Sequence, residues 1–155
     1  MKIIKLNFME KLHFSITINA PKQKVWEAML NDETYRQWTD IFNPNSGSYF
    51  EGEWTTGSEM NFFGPDSGGT VSGMYAKIKE AKPYDFLSIQ HLGEVIKGEK
   101  KPWPENMEAF ENYTFNEAQD GTELLVDLDT NEEFKAMFED MWPKALQKLK
   151  EITEK

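Results

Sequence analysis

The chain has 155 residues, 39% of them hydrophobic and 14% aromatic, which is enough to fold as one domain around a real core and too much to stay disordered. Its formal net charge of -10 argues against nucleic-acid backbones and anionic membranes, since both require clustered Lys and Arg. The absence of cysteine excludes disulfides, thiolate metal sites and cysteine nucleophiles, and is compatible with a reducing cytoplasmic compartment.

The N-terminal residues 1–14 have no long apolar core and no small-residue cleavage site, so no signal peptide is expected. Phe14, Ile16 and Ile18 alternate with Ser15 and Thr17, which predicts a half-buried strand over 13–19. Pro21 suits a first helical turn, and Val25, Trp26, Met29 and Leu30 follow at helical spacing. Asn31 or Asp32 caps a second short helix ending at Trp38. Strands are predicted over 48–54 and 58–63, with a turn at Thr56-Gly57. Residues 64–69 read as a loop by their Gly, Pro and Ser content. Two longer strands follow over about 70–81 and 86–95, and 98–106 reads as a loop around Trp103 between two prolines. A hairpin over 108–117 and 122–129 turns at Gln119-Asp120-Gly121.

The chain closes on a long helix over 131–154. Phe134, Met137, Phe138, Met141, Trp142, Ala145, Leu146, Leu149 and Ile152 recur at gaps that place all nine on one stripe. Such a helix must bury that stripe, and a strand-rich chain offers a sheet to receive it. Pro143 lies inside the pattern and predicts a kink or break near residues 139–142. No run of about 18 apolar residues exists to insert in a membrane.

The order is strand, two short helices, about six strands, long helix. Short connections make the sheet antiparallel and the class α+β. Four stretches stand out in this order: Ile18-Asn19-Ala20-Pro21 with Val25-Trp26, Tyr35-Arg36-Gln37-Trp38, Gly52-Glu53-Trp54 with Gly57-Ser58, and Trp142-Pro143 with Leu146 and Leu149. With them the chain resembles the helix-grip fold of the START-like, birch-pollen-allergen-like (SRPBCC-type) superfamily, and within it the branch of the C-terminal domain of the heat-shock protein 90 ATPase activator. The resemblance covers roughly residues 12–151, and the length predicts a single domain over 1–155. The resemblance implies a curved antiparallel sheet of about seven strands wrapped around the C-terminal helix, with a pocket between them. Members of the superfamily include lipid and hydrophobic-ligand carriers, polyketide cyclases and co-chaperone domains. The 155 residues do not include the separate N-terminal domain that the co-chaperones use.

The candidate ligand-binding residues are Trp38, Phe50, Trp54, Met60, Phe62, Met74, Ile89, His91, Tyr113, Met137 and Met141. The aromatic residues offer apolar walls, and the methionines adjust around a guest. They serve equally well as ordinary core. Leu87, Ile89 and His91 share one strand face, so His91 either enters the pocket as an orienting or acid/base group or sits hydrogen-bonded at a sheet rim. Tyr113 is the second polar group expected to orient a ligand.

Asp127 with Asp129, and Glu51 with Glu53, form same-face carboxylate pairs. They read as proton-transfer or cation-binding pairs, or as solvated faces of alternating strands. His13 and His91 are the only histidines, and their spacing matches no zinc pattern. Gly-x-Ser-x-Gly is absent, Gly47-Ser48 and Gly57-Ser58 read as turns, and no phosphate-loop pattern follows Gly68-Gly69. The sequence thus indicates no metal and no cofactor. It points to a small soluble protein that binds a lipid-like or aromatic molecule in an apolar cavity. A cyclase- or hydratase-type enzyme using His91 or Tyr113, or an interaction module with a filled cavity, are the alternatives. No oligomeric state is legible.

Overall fold

The computed structural model describes residues 9–43, 47–65, 71–105 and 107–155. Strand β1 (Glu10–Ile18) is followed by helices α1 (Lys22–Leu30) and α2 (Asp32–Trp38) and a single 3-10 turn (Asp40–Phe42). The run β2 (Tyr49–Gly52), β3 (Glu59–Pro65), β4 (Val71–Lys82), β5 (Phe86–Ile96), β6 (Glu99–Pro102), β7 (Phe110–Ala118) and β8 (Gly121–Thr130) leads to helix α3 (Glu132–Glu154). The strands form one antiparallel sheet in the order β1-β8-β7-β5-β4-β3-β2, with β6 paired to β5. This is the expected α+β helix-grip arrangement, with eight described strands where about seven were expected.

The extra strand lies where the sequence reads as a loop. The four exposed residues of β6 pair with residues 93–96 of β5 without burying an apolar face, so no hydrophobic alternation marks them. Gly64 and Pro65, also expected in a loop, belong to β3. Residues 66–69 of that loop, Thr70 of the following strand and Asn106 lie outside the described residues, as do the first eight residues.

Local chemistry explains most boundaries. The Asn31 side chain accepts the Glu33 N–H at 3.0 Å and caps α2. The Asn131 side chain accepts the Phe134 N–H at 3.1 Å and caps α3. The β7–β8 hairpin needs only Gln119 and Asp120 as its turn, since Ala118 pairs with Gly121. Gly121 is required one step later than a turn reading suggests. Its φ is +150°, and a Cβ there would meet the Ile18 carbonyl oxygen at 2.1 Å. Register shifts in the β4–β5 ladder at Tyr75/Ala76 and Ile78/Glu80 add local twist, which helps the sheet curve.

The inner face of the sheet carries Ile78, Leu87, Ile89, Tyr113, Phe115, Leu124 and Val126, all buried. Trp142, Ala145, Leu146 and Leu149 of α3 close the core. The far end of α3 is tied to β1, where Lys150 Nζ donates to the Thr17 carbonyl at 2.9 Å and the Asn19 N–H donates to Glu154 at 2.7 Å. The Thr153 hydroxyl, fully buried, donates to the Leu149 carbonyl at 2.7 Å.

Of the kink or break expected near residues 139–142, no break occurs, and the helix runs through Pro143. Pro143 and Glu139, whose carbonyl loses its helical partner, are both on the exposed side, where water can serve that carbonyl. The nine-residue stripe is also not uniformly buried. Phe134 and Met137 remain 42% and 40% exposed, and Phe138, Met141 and Ile152 are half-buried. For Phe134, Met137 and Phe138 the cause is the space beneath the first half of the helix. No described helix is long and apolar enough to cross a membrane.

Candidate functional site

The apolar spacing of α3 continues past the point where the sheet stays close to it. What opens there is a cavity of about 770 Å³ between the inner sheet face, α2, the 3-10 turn and the first half of α3. A second, smaller cleft of about 210 Å³ shares His91, Trp103, Pro104 and Met107 with its wall.

The aromatic wall is held by the end of α1. Trp38 Nε1 donates to the Met29 carbonyl at 2.9 Å, and Trp54 Nε1 donates to the Leu30 carbonyl at 3.1 Å. The last carbonyls of a helix lack intrahelical partners, so two indoles satisfy them while turning their rings to the cavity. Tyr35 packs between these rings, with its centroid 5.7 Å from that of Trp38 and 5.0 Å from that of Phe50. Trp142 joins the same wall through Phe42 at 5.2 Å and Trp38 at 6.1 Å.

Among the polar side chains of this lining, His91, Glu111 and Tyr113 form one hydrogen-bonded cluster. His91 is only 9% exposed, and its Nε2 lies 2.9 Å from Glu111 Oε1. The Tyr113 hydroxyl donates to the other Glu111 oxygen. Ile89 and Leu87 of β5 pair with Glu111 and Tyr113 of β7, and period-two alternation brings His91 onto the same face. Burial, then the Glu111 charge, push the Tyr113 hydroxyl well above the ordinary tyrosine range, and the same two causes raise Tyr35. Both phenols therefore stay protonated at neutral pH and act as neutral hydrogen-bonding groups. His91 Nδ1 is buried with no partner among the described residues.

Of the candidate residues read from the sequence, Trp38, Trp54, Phe62, Met74, Ile89, His91, Tyr113 and Met137 line the cavity. Phe50, Met60 and Met141 do not. Phe50 stands behind the wall against Tyr35 and Trp54, and Met60 is fully buried core. Met141 is half-exposed and outside the lining.

Sequence reasoning missed Tyr35, Phe42 and, above all, Glu111. Tyr35 was reachable at three residues from Trp38 on α2. Glu111 was reachable as the residue two before Tyr113 on one strand. Of the carboxylate pairs that were singled out, only Asp129 borders the cavity. Asp127 pairs with exposed His13, while buried Asp129 accepts Lys11 Nζ at 2.8 Å and the Phe110 N–H at 3.0 Å. Glu51 and Glu53 are exposed. Among the described residues no three His, Cys, Asp or Glu side chains gather as a metal site.

Comparison with known proteins agrees with this architecture. Residues 19–154 match the family model described as Activator of Hsp90 ATPase homolog 1-like protein. No curated protein matches the chain. Among solved structures, a protein of Cytophaga hutchinsonii is similar at 24% identity and TM-score 0.70, over 94% of each chain. An uncharacterized protein of Rhizobium leguminosarum is similar at 15% identity and TM-score 0.69, over 95% of each chain. A protein of Nitrosomonas europaea follows the same fold at 14% identity and TM-score 0.67, over 92% of this chain and 93% of its own. At these identities the likeness establishes the fold alone.

Proposed function

The chain belongs to that family, and from this premise we propose that it binds an apolar, lipid-like or aromatic small molecule between the sheet and α3. The fold is one used for ligand binding and for co-chaperone roles. The observation that carries the reading is the open space of about 770 Å³ with an aromatic and Met-rich wall. That volume falls within the roughly 300–1,000 Å³ typical of small-molecule sites. The cavity is apolar except for a few convergent polar groups, the pattern that such sites use for orientation.

The interaction-module reading needs a filled cavity, and the described residues leave this one open. The enzyme reading keeps one specific observation in its favour. His91 is buried in the cavity wall against Glu111, the arrangement of an oriented imidazole in acid/base catalysis. Tyr113 serves that reading less well, because its raised pKa opposes giving up a proton near neutral pH.

Native mass spectrometry of freshly purified protein tests the proposal, together with thermal melting against a panel of apolar compounds. The expected result is a co-purifying small molecule, or a raised melting temperature, because a ligand that binds only the folded state stabilises it by mass action. A panel that yields neither outcome removes the binding reading. Turnover of a bound compound that His91→Ala abolishes would move the protein to the enzyme class.

A further inference from the structure

The charges around the cavity are one-sided. Glu94, Glu111 and Asp129 border it, and no Lys or Arg among the described residues does. The three carboxylates are not equivalent. Asp129 is neutralised by Lys11 at 2.8 Å, and Glu94 lies at the exposed rim. Glu111 stands in the wall itself with 23% of its side chain still accessible. Each of its oxygens takes one bond from the protein, from His91 or from Tyr113, and a carboxylate oxygen has room for a second.

We infer that the cavity selects its guest by charge, taking an apolar molecule whose polar end is an uncharged or cationic hydrogen-bond donor to Glu111 and rejecting one that ends in a carboxylate. This rests on the binding reading above and deepens it. An anionic guest would meet a like charge in a poorly solvated wall, where repulsion is far stronger than in water. It would find no cation to offset that cost. His91 directs Nε2 to Glu111, and its Nδ1 is buried with no partner among the described residues. The Tyr113 proton is committed to Glu111 as well. Apart from the carboxylates, the other polar side chains of the lining, among them Tyr35, Asn43, Ser48 and Asn131, are neutral and carry no charge to offset that of Glu111. A donor such as a hydroxyl or an ammonium meets the opposite situation, with an acceptor in place and aromatic faces around it that also favour positive charge.

The test is a series with one apolar body and different polar ends: 1-naphthalenemethanol, 1-naphthylmethylamine, 1-naphthoate and naphthalene. Each is titrated into the full chain at low salt by calorimetry. The alcohol and the amine are expected to bind about ten-fold or more tightly than the naphthoate, given the like-charge cost at such a site. Glu111→Gln keeps the shape, removes the charge and should bring that ratio toward one. Naphthoate binding as tightly as the alcohol overturns the charge selection and leaves the binding proposal standing. An unchanged ratio in folded Glu111→Gln overturns the assignment to Glu111. If none of the four compounds binds, this inference falls, while the binding reading is decided separately by the mass spectrometry and compound panel above. The series on the unaltered protein decides the matter even if the variant does not fold.

Discussion

The two halves of α3 carry the same apolar spacing and meet different surroundings. From Trp142 to Leu149 the helix buries every stripe residue against the sheet, and its last turn is tied to β1. From Phe134 to Met141 it leaves the same kind of side chain partly exposed, with Phe134, Met137 and Phe138 lining a cavity. The lesson is that amphipathic periodicity states which face of a helix is apolar, not what that face meets. Burial was secured where the sheet stays close, and a binding space was left where it curves away.

The largest effect tests the whole helix. A fragment ending at Thr130 loses both halves and should show no cooperative transition in calorimetry, because the buried stripe of α3 outweighs typical net stability. A fragment that still melts cooperatively would mean that the sheet is stable without its helix.

Single substitutions then separate the halves. Trp142→Ala should cost about 3–5 kcal/mol in urea titration, since the indole packs among Phe14, Trp38, Phe42 and Tyr113. Met137→Ala should cost less than about 1 kcal/mol, as at an exposed site. Equal losses would erase the contrast between the two halves.

Tyr113→Phe should cost about 1.5–3 kcal/mol at pH 7 by removing a hydrogen bond to a charged acceptor. It also carries a pH signature. The folded chain holds the Tyr113 proton well above the ordinary value of 10.0. The unfolded chain releases it first, so this group's stabilisation is complete below about pH 10 and is lost as pH rises further. The variant should therefore show a shallower fall of melting temperature above pH 10 by circular dichroism. An unchanged slope would mean that the hydroxyl titrates normally.

The smallest stability effect is the sharpest test of the site. Met137→Trp should fill space over the cavity, abolish binding of an apolar fluorescent dye and change stability by less than about 1 kcal/mol. Met141→Trp, one helical turn on and outside the lining, should leave dye binding intact. Loss of binding in both variants would place the guest deeper along the helix than the cavity lies.

The fold was legible because each of its parts is a local pattern. Alternation marked β1, the Asp120-Gly121 turn marked the β7–β8 hairpin, Asn31 or Asp32 marked the start of α2, and the 3.6-residue period marked α3. The strand β6 was illegible for the converse reason, as a pairing between backbones with no side-chain pattern behind it. Within the site, residues on strongly periodic elements were found, and Trp38, Phe62, Ile89, His91 and Tyr113 all reach the cavity. Phe50, Met60 and Met141 show where that reasoning stops, since being apolar and inward is the same property for a wall and for a core.

Sequence by itself determined the class of fold, the apolar faces of β1 and α3 and the acidity of the whole chain, because these depend on side-chain type and near-neighbour spacing. Only the tertiary structure decided that the first half of α3 overhangs an open space. It alone set Glu111, rather than the Asp127 and Asp129 pair, beside His91 and Tyr113. Both outcomes depend on how far a twisted sheet curves and on which strand lies next to which, and those distances are set by the packing of residues far apart in the chain.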